Sequence, residues 1–375
     1  MIYLDNAATT LIKPETVYTA VLNAMRCAAN AGRGGYSEAS AAMNLIYDTR
    51  CRAAELFGIT SPERIVFTQN ATHSLNIAIK GVLKYGSHAV ITSMEHNSVF
   101  RPIFSLARKK FITYSVAQGD KFGFVPAESI INEIKPGTSL IVVTHASNVC
   151  GTVNDIYEIR RKTGDIPLLI DASQSAGIVK IDMKRLKNTL LAFPGHKGLY
   201  GPQGTGGLYI PEGIEVSPLM EGGTGSVSES PVQPSFLPDR FESGTLNSSG
   251  ISGLGMGIKY VSENFDDITE KEKRLTKILI SGIKKLKGVR LLGYEGTEGR
   301  VGVVSVCFEK ADCVDVANEL GSSYGVAVRG GLHCSPLAHK TLGTAGCGAL
   351  RFSVGAFNSE EDVEKALHYL KKIIE

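Results

Sequence analysis

The first candidate for chemistry is Lys197, which lies in a glycine-dense segment just before a predicted strand, Ala192-Phe-Pro-Gly-His-Lys-Gly-Leu-Tyr-Gly-Pro-Gln-Gly-Thr-Gly-Gly. A lysine amine forms Schiff bases with aldehydes, and a constrained site that lowers its pKa makes this possible. Most lysines, however, are exposed surface residues. Lys197 therefore indicates catalysis only if suitable polar residues accompany it.

Asp171 and Gln174 are the first such residues. Asp171 follows the apolar run Leu168–Ile170, so it stands at the carboxyl end of a predicted buried strand. A carboxylate in that place can keep a pyridinium nitrogen protonated, which turns a pyridoxal phosphate (PLP) ring into an electron sink. Gln174 can reach the phenolic oxygen of the same ring. The alternative for Asp171 is a helix cap after the strand.

Other strands are also followed by polar side chains. Thr72 and His73 open a predicted helix, whose N-terminal N–H groups can hold a phosphate; the alternative is a simple N-cap. His96 lies just past another strand, where a flat imidazole could stack on an aromatic cofactor, and Asn148 ends a further one. One such residue is weak evidence, but the set in this order predicts a PLP site.

The elements that must position these residues alternate between apolar runs and helical patterns. The runs are rich in Val, Ile and Leu without strict alternation, as in parallel strands buried on both faces. Ligands of such sheets collect at the carboxyl ends of the strands. The predicted strands are Arg64–Thr68, Ala89–Thr92, Leu140–Thr144, Leu168–Ile170 and Gly206–Ile210, and the predicted helices between them include Ser74–Lys84 and Asn154–Thr163.

The pattern changes after this region. Gly222–Pro238 is rich in Gly, Ser and Pro and predicts an irregular loop. We therefore expect a large α/β domain over residues 14–250 and a smaller α+β domain over residues 251–375 together with 1–13. The expected elements of the small domain are a long helical region after Gly250, then Gly302–Phe308, Cys313–Gly321, Ala327–Arg329, Ala349–Ser353 and a final helix with a Ser359/Asp362 capping box.

Bulk composition is that of an ordinary globular chain. The 375 residues are 43% hydrophobic and 21% charged, with a net charge of +3, too small to indicate nucleic acid as a partner. No apolar run approaches the roughly 20 residues that span a bilayer, and the N-terminus lacks a signal-peptide pattern, so we expect a cytoplasmic protein. The seven cysteines form no C-x-x-C pair, so no metal site is expected.

With these motifs, the sequence resembles the class V aminotransferase-fold family of PLP enzymes over essentially its whole length, from Leu4-Asp-Asn-Ala-Ala-Thr-Thr to Arg351-Phe-Ser. Within that family it is most similar to cysteine desulfurases and selenocysteine lyases, nearer to the second group of desulfurases. The resemblance implies PLP-dependent transferase fold type I and a homodimer with the active site at the subunit interface.

The resemblance also implies a role for each motif residue. Lys197 is similar to the Schiff-base lysine and His196 to the phosphate-contacting histidine beside it. Arg351 corresponds to the arginine that holds the substrate carboxylate, for which a planar guanidinium is suited. The remaining implied cofactor contacts are Asp171 at the ring nitrogen, Gln174 at the phenolic oxygen, His96 stacked on the ring, Thr72 and His73 at the phosphate, Thr245 at the phosphate of the neighbouring subunit, and Asn148 near the substrate.

Cys334 lies in Val328-Arg-Gly-Gly-Leu-His-Cys-Ser-Pro-Leu, which resembles the Arg-x-Gly-x-His-Cys segment of second-group desulfurases. Nearby Arg329 and His333 could favour the reactive thiolate. The alternative is a small buried apolar residue, but the segment is polar and glycine-rich, unlike a core strand. We therefore expect Cys334 to take sulfur or selenium from L-cysteine or L-selenocysteine, leaving L-alanine.

Two positions depart from the family pattern. Pro194 stands where many relatives have serine, so one phosphate contact is missing, and Tyr36, in Gly32-Arg-Gly-Gly-Tyr, stands where histidine is common. The loop 222–240 is also shorter than in relatives that use it to meet a sulfur-acceptor protein, so we expect a different acceptor or none.

Rival interpretations remain open at this point. Selenocysteine lyase and another enzyme of the same fold, such as an aminotransferase or a kynureninase-like hydrolase, are the alternatives, although the latter chemistries need no thiol. A non-catalytic PLP-binding protein is a further rival. A dinucleotide-binding dehydrogenase is excluded because no G-x-G-x-x-G follows the first strand.

Overall fold

The computed structural model describes residues 1–31 and 34–375. The motif that contains Gly32 and Arg33 therefore lies partly outside the described residues. The strands are β1 (Ile2–Tyr3), β2 (Ile65–Thr68), β3 (His88–Thr92), β4 (Thr113–Ala117), β5 (Thr138–Thr144), β6 (Leu168–Asp171), β7 (Thr189–Pro194), β8 (Gly206–Tyr209), β9 (Val289–Leu292), β10 (Val303–Phe308), β11 (Val326–Ala327), β12 (Arg329–Gly331) and β13 (Ala349–Ser353). The helices are α1 (Glu15–Cys27), α2 (Ser37–Phe57), α3 (Ala71–Val82), α4 (Asn97–Arg108), α5 (Ala127–Ile131), α6 (Ile156–Lys162), α7 (Ser248–Glu263), α8 (Phe265–Ile283), α9 (Cys313–Tyr324), α10 (Pro336–Thr341) and α11 (Glu360–Ile374).

A mainly parallel sheet forms the centre of the larger part. Its strand order is β2-β8-β7-β6-β5-β3-β4, and only β8 runs antiparallel to its neighbours. An apolar core lies on each face of this sheet, which explains why its strands are continuous apolar runs rather than alternating patterns. The expected α/β architecture with helices on both faces is confirmed.

A smaller antiparallel sheet, in the order β12-β13-β10-β9, forms the second part. Its core is filled from α8, α9 and α11, and the N-terminal β1 joins this part by pairing in parallel with β11. Helix α7, in contrast, packs on α1 and α2, and Ile251, Leu254 and Ile258 enter the core of the large part. We therefore propose that the domain boundary lies after α7 rather than at residue 250.

Most predicted elements are present, with shifted ends. The strand predicted from Arg64 begins at Ile65, because Pro62–Arg64 forms a 3₁₀ turn. The helix predicted from Ser74 begins at Ala71, because Asn70 caps it. The single long helical region is in fact the two helices α7 and α8. The strand predicted at Ala327–Arg329 is split between β11 and β12.

Three features near the ends of the chain agree with the sequence. The Ser359/Asp362 capping box is present at the start of α11, with both of its hydrogen bonds. Segment 222–238 contains no helix or strand. Within the residues described, no helix combines the length and apolar character needed to cross a bilayer.

Candidate active site

The carboxyl ends of β2, β3, β5, β6 and β7 meet around one cavity. It leaves about 80 Å³ for the centres of water molecules. The predicted site residues that line it are Thr72, His96, Asn148, Asp171, Gln174, His196 and Lys197. The sheet therefore brings together residues that are up to 125 positions apart in the chain, from Thr72 to Lys197.

Lys197 lies at the bottom of this cavity, three residues after β7 ends. Burial lowers the pKa of its amine to about 8, an effect that Asp171 opposes and Arg351 reinforces. Because the ordinary value is near 10.5, a much larger fraction of this amine is neutral at physiological pH. A neutral amine is the form that attacks an aldehyde.

Asp171 is the last residue of β6 and is buried. Its Oδ1 accepts a hydrogen bond of 2.9 Å from the N–H of Ser173. This is the capping arrangement named as the alternative, but it occupies only one of the two carboxylate oxygens. The side chain also lines the cavity, so the cap and a ring-nitrogen contact are compatible.

Gln174 and His96 are both held in fixed orientations. Gln174 Nε2 donates to the carbonyl of Ala7 at 3.0 Å, which leaves its second N–H and its carbonyl oxygen for the cavity. Nδ1 of His96 accepts from the N–H of Ser98 at 3.0 Å and caps α4. Burial lowers the pKa of His96, so the ring is a neutral, flat wall of the site.

The residues predicted to hold the phosphate differ in where the structure places them. The Thr72 hydroxyl lies 2.9 Å from that of Ser98. His73 does not line the cavity, and its N–H already donates to the Oδ1 of Asn70 at 2.9 Å. Its ring Nδ1 is buried with no hydrogen-bond partner in the described chain. The contact of His73 with a phosphate stays a prediction, and the helix cap competes for its N–H.

Neighbouring groups also constrain His196. Its Nδ1 lies 3.0 Å from the Thr9 hydroxyl. Burial, with the nearby charges of Lys197 and Lys13, lowers the pKa of His196 to about 4. The neutral ring can offer one N–H to an anion but no positive charge.

Arg351 is almost fully buried and already holds a carboxylate from its own chain. Its Nη2 lies 2.8 Å from Asp5 Oδ1, and its Nη1 donates to the carbonyl of Asn148 at 3.1 Å. The other oxygen of Asp5 lies 2.9 Å from Arg329 Nη2. Arg351 Nε has no partner within residues 1–31 and 34–375. One carboxylate thus joins the two guanidinium groups expected at the substrate site.

The segment that carries Cys334 connects β12 to α10 and is fixed on both sides of the exposed thiol. Asn148 Nδ2 donates to the carbonyl of His333 at 2.8 Å, and Asn148 Oδ1 accepts from the Ser335 hydroxyl at 2.8 Å. The Cys334 carbonyl accepts from the N–H of Asn97 at 2.7 Å. His333 and Cys334 have φ of 48° and 57°, a left-handed conformation that non-glycine residues adopt only when contacts enforce it.

His333, which was predicted to favour the Cys334 thiolate, is engaged with the backbone of β13. Its Nε2 lies 3.0 Å from the carbonyl of Ala349, and burial together with the charge of Arg351 lowers its pKa to about 2. The neutral ring supplies no positive charge. Arg329, the other predicted contributor, shares its charge with Asp5.

Comparison of the chain with known proteins shows the family to which it belongs. The family model described as aminotransferase class-V matches residues 2–366. The chain belongs to the class-V aminotransferase family. It is 33% identical to a probable cysteine desulfurase of Methanothermobacter thermautotrophicus, an alignment that covers 99% of this chain and 94% of that protein. It is 31% identical to the cysteine desulfurase IscS of Methanosarcina thermophila, with 100% and 92% covered.

A solved structure is similar over the same length. The apo cysteine desulfurase of Thermococcus onnurineus NA1 superposes with a TM-score of 0.92 at 33% identity, and covers 100% of this chain and 94% of that one. The expected PLP-dependent transferase fold type I is confirmed for this member of the class-V aminotransferase family.

Thr245 does not line the cavity that contains Lys197. It lines a separate cavity together with Arg50, Glu242 and Thr224. Arg50 and Glu242 form a buried ion pair of 2.9 Å in the wall of that cavity. Thr245 therefore does not meet Lys197 within one chain, and its implied contact with a neighbouring subunit stays a prediction.

Two buried carboxylates belong to the site but were not predicted from the sequence. Asp5 joins Arg329 and Arg351, as described above. Glu95 Oε1 accepts from the Thr92 hydroxyl at 2.6 Å and the Thr144 N–H at 2.8 Å, and so links the ends of β3 and β5. Burial raises the pKa of Glu95 to about 8. The signal available was a carboxylate directly beside each motif, in Leu4-Asp-Asn and Met94-Glu-His.

Across the described ranges, no three His, Cys, Asp or Glu side chains gather closely enough to hold a metal ion.

Proposed function

We propose that this protein is a PLP-dependent cysteine desulfurase that converts L-cysteine to L-alanine and keeps the sulfur on Cys334 as a persulfide. The observation that carries the proposal is the Asn148 link. The same side chain lines the cavity of Lys197 and holds the segment of Cys334. A nucleophilic thiol and an activated lysine thereby belong to one site. The cysteine desulfurases to which the chain is similar support this activity.

The residues present fit PLP. A lysine of lowered pKa, a buried carboxylate with one oxygen uncommitted, and an amide with a free N–H surround one cavity. Lys197 would hold the cofactor, Asp171 its ring nitrogen, Gln174 its phenolic oxygen, and Thr72 and His196 its phosphate. When bound, PLP withdraws electrons from the substrate's Cα and so acidifies the Cα proton.

The chain's own residues would then act in sequence. Arg351 binds the substrate carboxylate, and the uncommitted Nε is the donor that remains available beside Asp5. Lys197 Nζ takes the Cα proton. The Cys334 thiolate attacks the substrate sulfur: the S–S bond forms, the C–S bond breaks, and its electron pair stays with the substrate carbon. That carbon, Cβ, gains a proton, Lys197 returns a proton to Cα, and the product leaves as alanine while Cys334 carries the persulfide.

We further propose a homodimer, in which Thr245 of one copy completes the phosphate site of the other. Its position in a separate cavity beside Arg50 and Glu242 supports this. Sedimentation would give the oligomeric state. In mixtures of Lys197→Ala and Thr245→Ala protein, a dimer that shares its sites should recover cofactor binding, because each mixed dimer contains one site with both Lys197 and Thr245 intact. Independent behaviour of the two variants would contradict a shared site.

The activity is tested with purified protein, PLP, and L-cysteine or L-selenocysteine. Absorbance of the bound cofactor, alanine, and sulfide or selenide are measured in the same samples. Alanine from L-cysteine, with loss of turnover in Cys334→Ala, supports the desulfurase. Turnover of selenocysteine alone would favour a selenocysteine lyase. Bound cofactor with no alanine from either substrate would favour another reaction of the same fold.

A further inference from the structure

Two further cavities follow on from the active-site cavity through shared wall residues. The inner one is bordered by Lys197, Gln174 and Ser173, which also line the active-site cavity. The outer one extends to exposed Lys273 and Glu298 at the surface. The inner and outer cavities have a common wall of Glu272, Ile178, Val301 and Gly302. The three cavities therefore form a series from the active site to the surface, and Glu272 lies between the inner and the outer cavity.

The space is sufficient for water. The inner cavity leaves about 30 Å³ for the centres of water molecules, and the outer one about 280 Å³. A single water requires roughly 10–15 Å³ by this measure, together with polar partners. The inner cavity has such partners. The Tyr200 hydroxyl oxygen accepts from the N–H of Ala356 at 2.8 Å, so its own hydrogen remains to be donated.

Glu272 is unpartnered although it is only 5% exposed. Among the residues that the structure describes, none forms a hydrogen bond with its carboxyl group. Gly302 packs closely against this group: a Cβ atom added to Gly302 would lie 3.0 Å from Glu272 Oε2. One turn later, Thr276 is 2% exposed with a hydroxyl that has no partner in the described chain. Buried polar groups without partners are costly, and both groups line the outer cavity. Water in the cavities would satisfy them.

The protonation state of Glu272 suits a relay. Burial raises its pKa to about 8, so the carboxyl group is mostly protonated at neutral pH. It then has one oxygen to accept a proton and one hydrogen to donate.

We propose that Glu272 passes protons between Lys197 and solvent through water in these two cavities. The inference rests on the proposed function, in which Lys197 gains and loses the Cα proton while substrate fills the front of the site. A Lys197 ammonium gives its proton to water in the inner cavity. That proton passes to one oxygen of Glu272 as the proton on the other oxygen leaves to the outer cavity. One proton reaches solvent, and nothing is oxidised or reduced.

The exchange test uses the PLP-loaded protein with L-alanine in D₂O, and follows deuterium at Cα. This exchange requires Lys197 but not Cys334. We expect Glu272→Gln to slow it by about tenfold or more, since an amide does not relay protons. Thr276→Leu, which fills the outer cavity, should slow it too. Glu270→Gln, an exposed carboxylate on the same helix, is the matched control and should exchange as the wild type does.

Two readouts separate the possible failures. Cofactor absorbance in each variant reports whether folding and PLP binding are intact. A high-resolution crystal structure of the loaded protein should contain ordered water between Tyr200 and Glu272. A dry inner cavity, or unchanged exchange in Glu272→Gln, would overturn the relay while leaving the desulfurase proposal intact. Absence of any exchange in wild-type protein with PLP bound would instead contradict the role of Lys197 in the proposed function.

Discussion

Asp5 illustrates how a single residue prepares this site. Its carboxylate bridges Arg351 and Arg329 at 2.8 and 2.9 Å, and so holds two like charges near one another. A bridging carboxylate lowers the repulsion between the guanidinium groups and fixes their planes. It also leaves less positive charge for the substrate. We interpret Asp5 as a positioning residue that presents the remaining donor of Arg351 to a single incoming carboxylate.

Substitution Asp5→Asn should raise KM for L-cysteine by about tenfold, because an amide cannot accept from both guanidinium groups. Unfolding free energy should fall by about 3 kcal/mol, since one charge of a buried pair is left uncompensated. Steady-state kinetics and denaturant titration measure the two effects. The exposed Asp315→Asn is the control. A fall in KM would show that Asp5 competes with substrate instead of positioning Arg351.

The lowered pKa of Lys197 predicts how cofactor attachment depends on pH. The neutral amine should become abundant as pH rises through about 8, not through 10.5 as for an exposed lysine. The rate at which PLP joins the cofactor-free protein should therefore increase with a midpoint near pH 8. Stopped-flow absorbance follows this rate. A midpoint above pH 10 would mean that burial does not activate the amine.

The sequence predicted site residues mainly where they directly follow a strand. Asp171, His96 and Asn148 were found because each comes just after an apolar run, and Lys197 because it lies in a glycine-dense segment just before a strand. Asp5 was not, because its partner Arg351 lies 346 positions away in the chain. Contacts across such separations depend on the tertiary fold, so local pattern cannot supply them.

At the level of elements, the site depends on the segment between β12 and α10. Its backbone is left-handed at His333 and Cys334, which is unfavourable for both residues. Asn148, from the segment after β5, compensates by hydrogen bonding on both sides of Cys334. The segment after β5 thus fixes the position of Cys334, the proposed nucleophile, which belongs to the smaller part of the molecule.

Removal of this link by Asn148→Ala should loosen the segment at a cost of about 1–3 kcal/mol, because the Ser335 hydroxyl and the His333 carbonyl lose their partner. Hydrogen exchange of residues 332–336 should become faster, and kcat for L-cysteine should fall while cofactor absorbance is retained. Asn318→Ala on the exposed face of α9 is the matched control. Unchanged exchange of the segment would show that its other contacts suffice.

Helices and strands could be predicted where the composition of a segment differs from that of the segments on either side. Buried strands such as β5 and β6 stood out as apolar runs. Strand β7 was missed because its end, Phe193-Pro194, merges with the glycine-rich lysine segment. The division between α7 and α8 was missed because Asn264 interrupts the helical pattern at only one position. Ends shifted where caps such as Asn70 decide the first turn.

For the molecule as a whole, Glu272 should make stability fall with rising pH. The pKa of Glu272 in the folded protein is raised from 4.5 to about 8. Its contribution to the free energy of unfolding is therefore complete below pH 4.5 and is lost as pH rises through about 8. Burial is the only cause of the shift; the charged groups around the outer cavity, Lys180, Lys273, Glu298 and Arg300, do not oppose it.

The variant Glu272→Gln removes this ionisation. It should match wild type near pH 4.5 and exceed it by a few kcal/mol above pH 8, as denaturant titrations across that range would measure. Glu270→Gln should differ little from wild type at any pH. If Glu272→Gln is no more stable at pH 9, the carboxyl group has a partner or is already hydrated enough to ionise.

The overall architecture was predictable because alternating strands and helices leave few arrangements for a parallel sheet. The boundary between the two parts of the chain was harder to predict, because α7 follows the irregular loop but packs in the core of the large part. The proposed sharing of sites between subunits came only from the resemblance, since Thr245 and Lys197 lie apart within one chain.

Lys197 and Cys334 are proposed to act in one site to move sulfur. The most direct measurement is a single turnover of PLP-loaded protein with L-cysteine, in which alanine is quantified and Cys334 is analysed by mass spectrometry. We expect one alanine for each persulfide on Cys334, no alanine from Lys197→Ala, and bound PLP but no alanine from Cys334→Ala. Alanine formed at the wild-type rate by Cys334→Ala would contradict the account.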